Sequence, residues 1–429
     1  MSGTRQRCAS CGHELAETDA QVRCPACHGL LEILHARPAV TGAALRARFD
    51  GRRVENAARD SGVWRFLEAV LPTAAREIVS YPEGNTPLLE CPALARWTGL
   101  PRLLLKHEGL NPTGSFKDRG MTVAVTQARR VGATALACAS TGNTGASLAA
   151  YAGLAGLPAL VMVPQGQVAL GKLAQTIAYG ARTLLVRGNF DACLDLAEQA
   201  RVRLGLYLLN SINPFRIEGQ KTIMLELLQQ LDWAAPDWIV LPAGNLGNTA
   251  ACGKALAEAR DWGLITDTPR LAAVQAAGAA PFAASFRERF ARRHRVEPRT
   301  VASAINIGNP ASYDRAVRAI RETHGVVTAV TDEEILEAKA VVDGAGVGCE
   351  PASAASVAGA RQLLRDGVIG PEQRVVAVLT GHLLKDPDSV TRYHQHADPR
   401  PPHANPPVEI GPTLGEVERE LRSRDVRRA

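Results

Sequence analysis

Short apolar runs alternate with helix-length segments through most of this chain, and that alternation limits the possible folds more than any other feature. The runs have strand length and are apolar at successive positions, as in Trp238–Leu241 and Val375–Leu379. Strands buried on both faces have this character, and helices between them supply the crossovers that parallel strands need. Further strand runs are Leu103–Lys106, Ala135–Ala139, Ala159–Val163, Arg182–Val186 and Leu271–Gln275, and the helical stretches include Phe190–Leu204, Gly219–Leu231 and Thr249–Trp262. The sequence predicts an α/β fold with a mostly parallel sheet covered on both faces.

Composition excludes several classes of protein. With 429 residues, 46% hydrophobic and 21% charged, the chain is globular and long enough for two or three lobes. The net charge of +6 is spread out and aromatic residues are only 4%, so no nucleic-acid partner is expected. The stretch between Arg130 and Lys172 has no charge, but glycines and Pro158 interrupt it, so no membrane span is expected either. The first residues lack the apolar core of a signal peptide.

Four cysteines near the N-terminus form two Cys-x-x-Cys pairs, Cys8 with Cys11 and Cys24 with Cys27. A glycine close behind each pair lets backbone N–H groups turn toward the thiolates. The spacing predicts a small zinc ribbon, with a metal-free ribbon or a redox pair as alternatives. We expect this ribbon to be structural and remote from the reacting groups. The other five cysteines are scattered in apolar surroundings, which favours a reducing, cytoplasmic setting.

A single lysine, Lys117, stands behind a Pro/Gly turn and ahead of an apolar, helix-prone run, within the segment Asn111–Met121. An ordinary surface lysine needs no such setting. A lysine that forms a Schiff base does, because a water-poor pocket lowers the pKa of its amine and lets it attack a carbonyl.

Two glycine-rich loops each follow a predicted strand and precede a predicted helix. The loop Gly244–Asn248 presents consecutive backbone N–H groups at a helix N-terminus, as phosphate sites do, without the third glycine of a dinucleotide loop or the lysine of a Walker loop. The loop Ser140–Ser147 adds hydroxyl groups and the amide of Asn143, which suits a carboxylate, a second phosphate or a phenolic oxygen. The alternatives are a tight turn for the first loop and an ordinary helix cap for the second.

Thr380 follows the predicted strand Val375–Leu379, at the carboxyl end where ligands of open parallel sheets collect. Its hydroxyl can donate a neutral hydrogen bond to a pyridine nitrogen. An ordinary turn hydroxyl is the alternative.

Residues 81–387 resemble the fold-type II pyridoxal-phosphate enzymes, the superfamily of the tryptophan synthase β subunit, and within it the threonine synthases. The segments shared with many of these lyases are Glu83–Leu89, Asn111–Met121, Ser140–Ser147 and Gly244–Asn248. Two further segments, Asn210–Thr222 and Ile307–Tyr313, resemble threonine synthases far more than serine or threonine dehydratases. A Cys-x-x-Cys pair like the one seen here also occurs in some threonine synthases.

The resemblance implies a role for each candidate residue. Lys117 would hold pyridoxal phosphate and later move protons, Asn143 would bond the ring oxygen and Thr380 the ring nitrogen. The cofactor phosphate would be cradled by Gly244, Asn245, Leu246, Gly247 and Asn248. The substrate's carboxylate or phosphate would be bound by Ser140, Thr141 and Thr144, and its phosphate by Asn210, Ser211 and Arg216. A competing interpretation makes Arg216 an ion-pair partner of a carboxylate such as Glu218.

The implied reaction converts O-phospho-L-homoserine and water to L-threonine and phosphate, in a homodimer. Two positions depart from the family pattern, since Leu383 replaces a usual glycine and Gln167 a common lysine. They leave open a paralogue acting on another substrate, similar to cysteate synthase or to a serine or threonine dehydratase. A contrasting hypothesis is a zinc-ribbon binding protein whose enzyme body is inactive.

The predicted architecture is two doubly wound α/β lobes with an N-terminal zinc-ribbon-like extension. Its parts are the ribbon at 1–34, a helical extension at 35–80, a large cofactor-binding lobe at 81–125 and 215–387, a small lobe at 126–214, and a mobile or peripheral tail at 388–429.

Overall fold

The computed structural model of the chain describes residues 3–52, 61–74, 77–140, 142–166 and 170–425. The chain divides into two compact units, Met1–Asp386 and Pro387–Ala429. Thr141 and Gln167, both singled out in the sequence, lie outside the described residues. Among the helices that are described, none is long and apolar enough to cross a membrane.

The N-terminal residues form a three-stranded antiparallel sheet. Its strands are β1 (Arg5–Cys8), β2 (Glu14–Ala16) and β3 (Leu31–Leu34), in the order β2-β1-β3. Cys8, Cys24 and Leu31 form a small buried cluster separate from the main core. A cluster of this size cannot stabilise a fold by itself, so a metal would supply what the apolar core lacks.

The segment after the ribbon contains helix α1 (Gly42–Gly51) and the short helix α2 (Leu67–Val70). Thr41 caps α1, because its side chain accepts a hydrogen bond from the backbone N–H of Ala44. Phe49 and Phe66 are fully buried, and their rings meet edge to face with centroids 5.1 Å apart. These aromatic residues join the main core of the first unit.

The rest of the first unit alternates strands with helices. The strands are β4 (Leu88–Glu90), β5 (Leu103–His107), β6 (Leu136–Ala139), β7 (Ala159–Pro164), β8 (Arg182–Val186), β9 (Tyr207–Leu208), β10 (Trp238–Pro242), β11 (Arg270–Ala276), β12 (Val326–Val330) and β13 (Val375–Leu379). The helices are α3 (Pro92–Thr98), α4 (Lys117–Arg130), α5 (Asn143–Ala155), α6 (Leu170–Ala178), α7 (Phe190–Leu204), α8 (Pro214–Gln220), α9 (Thr222–Gln230), α10 (Gly247–Asp261), α11 (Pro281–Arg287), α12 (Tyr313–Glu322), α13 (Asp332–Gly344) and α14 (Pro351–Arg365).

The strands form two sheets. The larger sheet has the order β12-β11-β10-β13-β5-β4, and every pairing in it is parallel except that of the edge strand β4 with β5. The smaller sheet has the order β8-β7-β6-β9 and is parallel throughout. Carboxyl ends of parallel strands meet at one edge of a sheet, so the predicted ligand loops after β10 and β13 lie at that edge of the larger sheet, and those after β6 and β9 at that edge of the smaller sheet.

Both faces of the larger sheet are buried, as its continuous apolar runs predict. On β10, Trp238 and Val240 pack into the core on one face, while Ile239 and Leu241 pack into the core on the other. Strands β8 and β13 have the bounds predicted from the sequence. This two-sided burial is what crossover helices on both faces of a parallel sheet produce.

The helix predicted at Gly219–Leu231 was wrong in its start and its continuity. The structure has two helices, α8 and α9, separated at Lys221. Pro214 opens α8 because its missing N–H costs nothing in a first turn, and Asn213 caps it by accepting from the backbone N–H of Phe215.

The second unit contains helix α15 (Pro387–Thr391), a π-helical turn at Arg392–His396 and helix α16 (Leu414–Asp425). The backbone N–H of Gly411 donates to the carboxylate of Glu416 at 2.5 Å, close to the start of α16.

Candidate active site

Lys117 is the first residue of α4, and the loop before it is fastened to the end of β13. The backbone N–H of Phe116 donates to the carbonyl of Thr380 at 3.0 Å, and that of His382 donates to the carbonyl of Gly114 at 2.9 Å. Gly114 has φ of +84°, a conformation that favours glycine. The Nζ atom of Lys117 lies 4.2 Å from the centre of the Phe116 ring. The carboxyl edge of the larger sheet therefore fixes where this amine stands.

Surrounding protein changes the acidity of Lys117. Withdrawal of the amine from water, together with the positive charge of Arg216, lowers the pKa of Lys117 to about 7, against the opposing effect of Glu350. At neutral pH a substantial fraction of the amine is then uncharged and nucleophilic. This is the property that the sequence predicted for a Schiff-base lysine.

Asp118, the next residue, ties Lys117's helix to the smaller sheet. Its carboxylate accepts from the N–H and hydroxyl of Thr113, at 2.7 and 2.6 Å, and from the hydroxyl of Ser147 on α5 at 2.6 Å. Burial raises the pKa of Asp118 to about 6, although these hydrogen bonds oppose the rise. The contact joins α4 to α5, the helix that follows β6 of the smaller sheet, at the residue next to Lys117.

The loop between β10 and α10 has the form of an anion cradle. Leu246 lies in the left-handed region with φ of +63°, and α10 begins at the next residue, Gly247. At Gly244 a Cβ atom would lie 2.8 Å from the Cα of Ile305, so only glycine fits. Asn248 is buried, and within the described residues neither polar atom of its amide has a hydrogen-bond partner. The unsatisfied Nδ2 of Asn248, at the start of a 15-residue helix, is a donor that fits a bound phosphate.

Asn245 connects this cradle to two other predicted segments. Its Oδ1 accepts from the backbone N–H of Ala311 at 2.6 Å, and its Nδ2 donates to the hydroxyl of Ser211 at 2.6 Å. The cofactor loop and the predicted substrate-phosphate loop are therefore in direct contact.

Arg216 is buried on α8 with most of its hydrogen-bonding capacity unused. Its Nη1 donates to the carbonyl of Leu209 at 3.2 Å, whereas Nε and Nη2 are buried and have no partner among the residues described. Burial lowers the pKa of Arg216 to about 10, which still leaves it charged at neutral pH. A buried, unpaired guanidinium is costly unless an anion binds it. These nitrogens fit a phosphate.

The competing interpretation, an ion pair between Arg216 and Glu218, does not match the geometry. The carboxylate of Glu218 is bound instead by His35 at 2.7 Å, by Lys221 at 2.5 Å and by Lys254. Glu218 therefore has its own cationic partners.

Other residues that were predicted to bind the substrate use their polar atoms in hydrogen bonds within the protein. The amide of Asn210 accepts from the N–H of Ala139 at 3.0 Å and donates to its carbonyl at 2.9 Å, which joins the ends of β9 and β6. The hydroxyl of Ser140 accepts from the N–H groups of Gly142 and Gly145, as the helix-cap alternative has it. Thr144 lies partly exposed in the first turn of α5.

Two residues that sequence reasoning did not assign stand at the start of α14 beside the candidate site. Glu350 accepts from Nδ2 of Asn143 at 3.0 and 3.2 Å, and burial raises the pKa of its carboxyl. The hydroxyl of Ser353 lies 3.0 Å from that of Thr380 and accepts from the N–H of Gly381. The sequence contained a signal for both, because Cys349–Ala355 is among the segments that resemble the family.

Leu383, one of the two departures from the family pattern, packs over a glycine. A Cβ atom at Gly348 would lie 2.3 Å from Cδ2 of Leu383, and Gly348 has φ of +71°. The leucine's extra bulk is thus accommodated where a neighbouring residue has no side chain.

A buried ionic cluster connects α4, the helix that begins with Lys117, to the Glu83–Leu89 segment. Glu226 accepts from the backbone N–H groups of Asn85 and Thr86, from Lys106 at 2.5 Å and from Arg119 at 2.8 Å. Arg119 is on α4, two residues beyond Lys117, and Asn85 and Thr86 lie in the Glu83–Leu89 segment. Removal of one member would leave buried charges without a partner, which is costly. The cluster therefore holds the Glu83–Leu89 segment and α4 together.

The four ribbon cysteines converge. The sulfur of Cys8 lies 3.4 Å from that of Cys27, that of Cys11 lies 3.6 Å from that of Cys24, and all four lie within 4.8 Å of one another. Sulfurs around a tetrahedral zinc with Zn–S bonds of ~2.3 Å lie about 3.8 Å apart, so the set fits that ion. The backbone N–H of Ser10 also points at the Cys8 sulfur from 3.4 Å.

Comparison with known proteins agrees with this geometry. Residues 79–381 match the family model described as pyridoxal-phosphate dependent enzyme. Threonine synthase of Methanocaldococcus jannaschii is 45% identical over 90% of this chain and 94% of its own, and that of Methanosarcina acetivorans is 46% identical over 90% and 93%. The solved threonine synthase of Escherichia coli matches at a TM-score of 0.70 over 96% of this chain and 94% of its own, at 19% identity, which is a likeness of fold.

These findings confirm the predicted fold class, a fold-type II enzyme built on α/β sheets, with an N-terminal cysteine cluster that is compatible with a zinc ribbon. The chain belongs to the pyridoxal-phosphate-dependent enzymes and, within them, to the threonine synthase family.

Proposed function

We propose that this chain is a pyridoxal-phosphate-dependent lyase that converts O-phospho-L-homoserine and water to L-threonine and phosphate. The observation that carries the proposal is a pair of buried Arg216 nitrogens that have no hydrogen-bond partner in the described part of the chain, on a side chain close enough to Lys117 to lower the pKa of its amine. A dehydratase has no substrate phosphate to bind and would gain nothing from this guanidinium. The curated relatives that are 45% and 46% identical to this chain are named threonine synthases.

The residues around the cleft fit the cofactor. Lys117 would hold it, the loop from Gly244 to Asn248 would bind its phosphate, and Asn143 and Thr380 would orient the ring oxygen and ring nitrogen. Pyridoxal phosphate supplies an electron sink that stabilises negative charge next to the substrate's α-carbon. Nδ2 of Asn143 donates to the carboxylate of Glu350, and this hydrogen bond restricts the orientation of the Asn143 amide.

The protein's own groups would then move protons and bind the leaving phosphate. The neutral amine of Lys117 removes a proton from the substrate's α-carbon and later one from its β-carbon. Arg216 binds the phosphate that departs from the γ-carbon, with Ser211 beside it and Asn210 holding that loop to β6. Water adds at the β-carbon, a proton is added at the γ-carbon that lost phosphate to make the methyl group, and another returns to the α-carbon. Ser140, Thr141 and Thr144 would take the substrate's carboxylate or phosphate through the loop at the start of α5.

We also propose that the ribbon binds one structural zinc ion through Cys8, Cys11, Cys24 and Cys27. All nine cysteines are free thiols, which fits the reducing conditions of a cytoplasm. The homodimer and the five-part domain organisation predicted from the sequence remain proposals.

Product analysis with three amino acids tests the function. O-phospho-L-homoserine should yield phosphate and L-threonine in equal amounts, whereas O-phospho-L-serine should release little phosphate and L-threonine little ammonia. The purified protein should be yellow, absorbing near ~410 nm, because the bound cofactor is the chromophore. Ammonia from L-threonine without phosphate release from phosphohomoserine would support a dehydratase instead.

A further inference from the structure

Strand β3 of the ribbon is attached to the catalytic body by side chains from two helices. Arg315 on α12 donates to the carbonyl of Leu31, and Arg318 on the same helix pairs with Glu32. Lys254 on α10 donates to the carbonyl of Ile33 at 2.6 Å. The ribbon therefore contacts α10, the helix that begins at the predicted phosphate cradle, at a residue seven positions after the start of that helix. Its remoteness from the reacting groups stays a prediction.

His35, which follows β3 directly, reaches a third helix. Its Nε2 lies 2.7 Å from the carboxylate of Glu218 on α8, and both side chains are only 1% exposed. Its Nδ1 lies 3.3 Å from the hydroxyl of Thr4, the residue before β1. Burial and the neighbouring Lys221 lower the pKa of His35, so the ring is neutral at pH 7 and Nε2–H is the donor to Glu218. The imidazole of His35, which follows β3, thus also contacts the residue before β1, so this side chain links the ends of the two strands that flank the cysteine cluster.

Helix α8 carries both Glu218, which His35 contacts, and Arg216, which is proposed to bind the substrate's phosphate. Glu218 stands two residues beyond Arg216 on a helix of only seven residues. The helix lies tightly against α4, because a Cβ atom at Gly219 would be 1.8 Å from the carbonyl oxygen of Arg119. A Cβ atom at Gly120 would likewise be 2.9 Å from the carbonyl oxygen of Arg216. Because α8 has no room to move toward α4, its position depends on the groups that bind Glu218.

We propose that His35 is a positioning residue for the substrate's phosphate: by holding Glu218, it sets the place of α8 and of the Arg216 guanidinium. This inference rests on the proposed function, in which Arg216 binds that phosphate. Lys221 and Lys254 still bind Glu218 when His35 is removed, so the carboxylate does not become an unpaired buried charge. Loss of His35 therefore removes one of the three groups that hold Glu218, and lets α8 shift, without leaving the carboxylate uncompensated.

The test compares His35→Ala with His35→Gln in the holoenzyme. We expect His35→Ala to raise KM for O-phospho-L-homoserine and the dissociation constant of inorganic phosphate together, by about three- to tenfold, since ~1 Å of displacement can cost up to ~100-fold. The kcat, the absorption of the cofactor and the zinc content should stay near those of the unmodified enzyme. His35→Gln should restore most of the affinity, because its amide can donate to Glu218.

Arg318→Ala is the matched control. It removes another ribbon contact, from a side chain that is 49% exposed, and leaves α8 untouched. Its KM and phosphate affinity should equal those of the unmodified enzyme. An equal loss of phosphate affinity in Arg318→Ala and His35→Ala would show that the effect comes from ribbon docking in general, and would overturn the proposal. A normal KM and a normal phosphate affinity in His35→Ala would also overturn it.

If His35→Ala does not fold, His35→Leu provides a bulkier apolar replacement without a donor, and failure of both to fold would show a purely structural role. Inorganic phosphate titrated calorimetrically into the holoenzyme needs no turnover. It therefore tests His35 even if the unmodified enzyme releases no phosphate from phosphohomoserine, the result that would refute the proposed function instead.

Discussion

Two buried cations, Lys117 and Arg216, are the residues on which the proposed chemistry depends. The positive charge of Arg216 disfavours a positive charge on Lys117, and burial disfavours a charge on both. The structure resolves the conflict by lowering the pKa of the lysine to about 7 while the arginine, at about 10, keeps its charge. One group is thereby suited to proton transfer and attack on a carbonyl, and the other to binding an anion.

Replacing Lys117 tests the first of these roles. Lys117→Ala should abolish turnover, because no other group can both hold the cofactor and move the protons. Lys117→Arg keeps a positive charge at the same position and should be equally inactive. Steady-state phosphate release measures both variants, with thermal unfolding as the check on folding. More than trace activity in Lys117→Ala would refute the assignment.

The low pKa of Lys117 predicts how cofactor attachment depends on pH. Only the neutral amine attacks a carbonyl, so the rate at which cofactor-free protein binds pyridoxal phosphate should rise with pH and level off above about 7. The rise in absorption near ~410 nm follows this rate. Arg216→Ala should move the midpoint upward, because the charge that lowers the pKa is removed. A rate that keeps rising toward the ordinary lysine value of 10.5 would contradict the account.

Among the elements, strands were easier to predict than the helices that carry the site. Strands β8 and β13 could be read from apolar runs because parallel strands are buried on both faces. Strand β12 was missed, since three of its five residues are only partly buried at the edge of the sheet. The start of α8 was missed because Pro214 was not recognised as a first-turn residue.

The ribbon is the element whose stability depends most on a ligand. The holoprotein should contain about one zinc per chain, and Cys24→Ser should lose it, because three thiolates bind the ion less tightly than four. Cys91→Ser is the control, since Cys91 lies outside the cluster and is partly exposed. Metal analysis of the purified variants decides the matter. Unchanged zinc in Cys24→Ser would show that the four-cysteine site is wrong.

Over the whole molecule, the site is made by segments that lie far apart in the chain. Asn143 meets Glu350 across 207 positions, and His35 meets Glu218 across 183. Lys117 and the Gly244–Asn248 loop could be predicted because glycine turns mark them locally, and Arg216 came from resemblance to a family. Glu350 lies in a segment that resembles the family but has no local mark that suggests a role, and His35 has neither signal, since the contacts of both residues form only when distant parts of the chain pack together.

The kinetics and colour of Arg216→Ala test the central claim most directly. Loss of a buried, charge-assisted contact with the substrate's phosphate should lower kcat/KM for O-phospho-L-homoserine by at least ~30-fold, or ~2 kcal/mol, while the protein stays folded and yellow. Arg318→Ala, an exposed arginine outside the cleft, should keep normal kinetics. A folded, yellow Arg216→Ala enzyme with near-normal kcat/KM would contradict the claim that this arginine reads the substrate's phosphate.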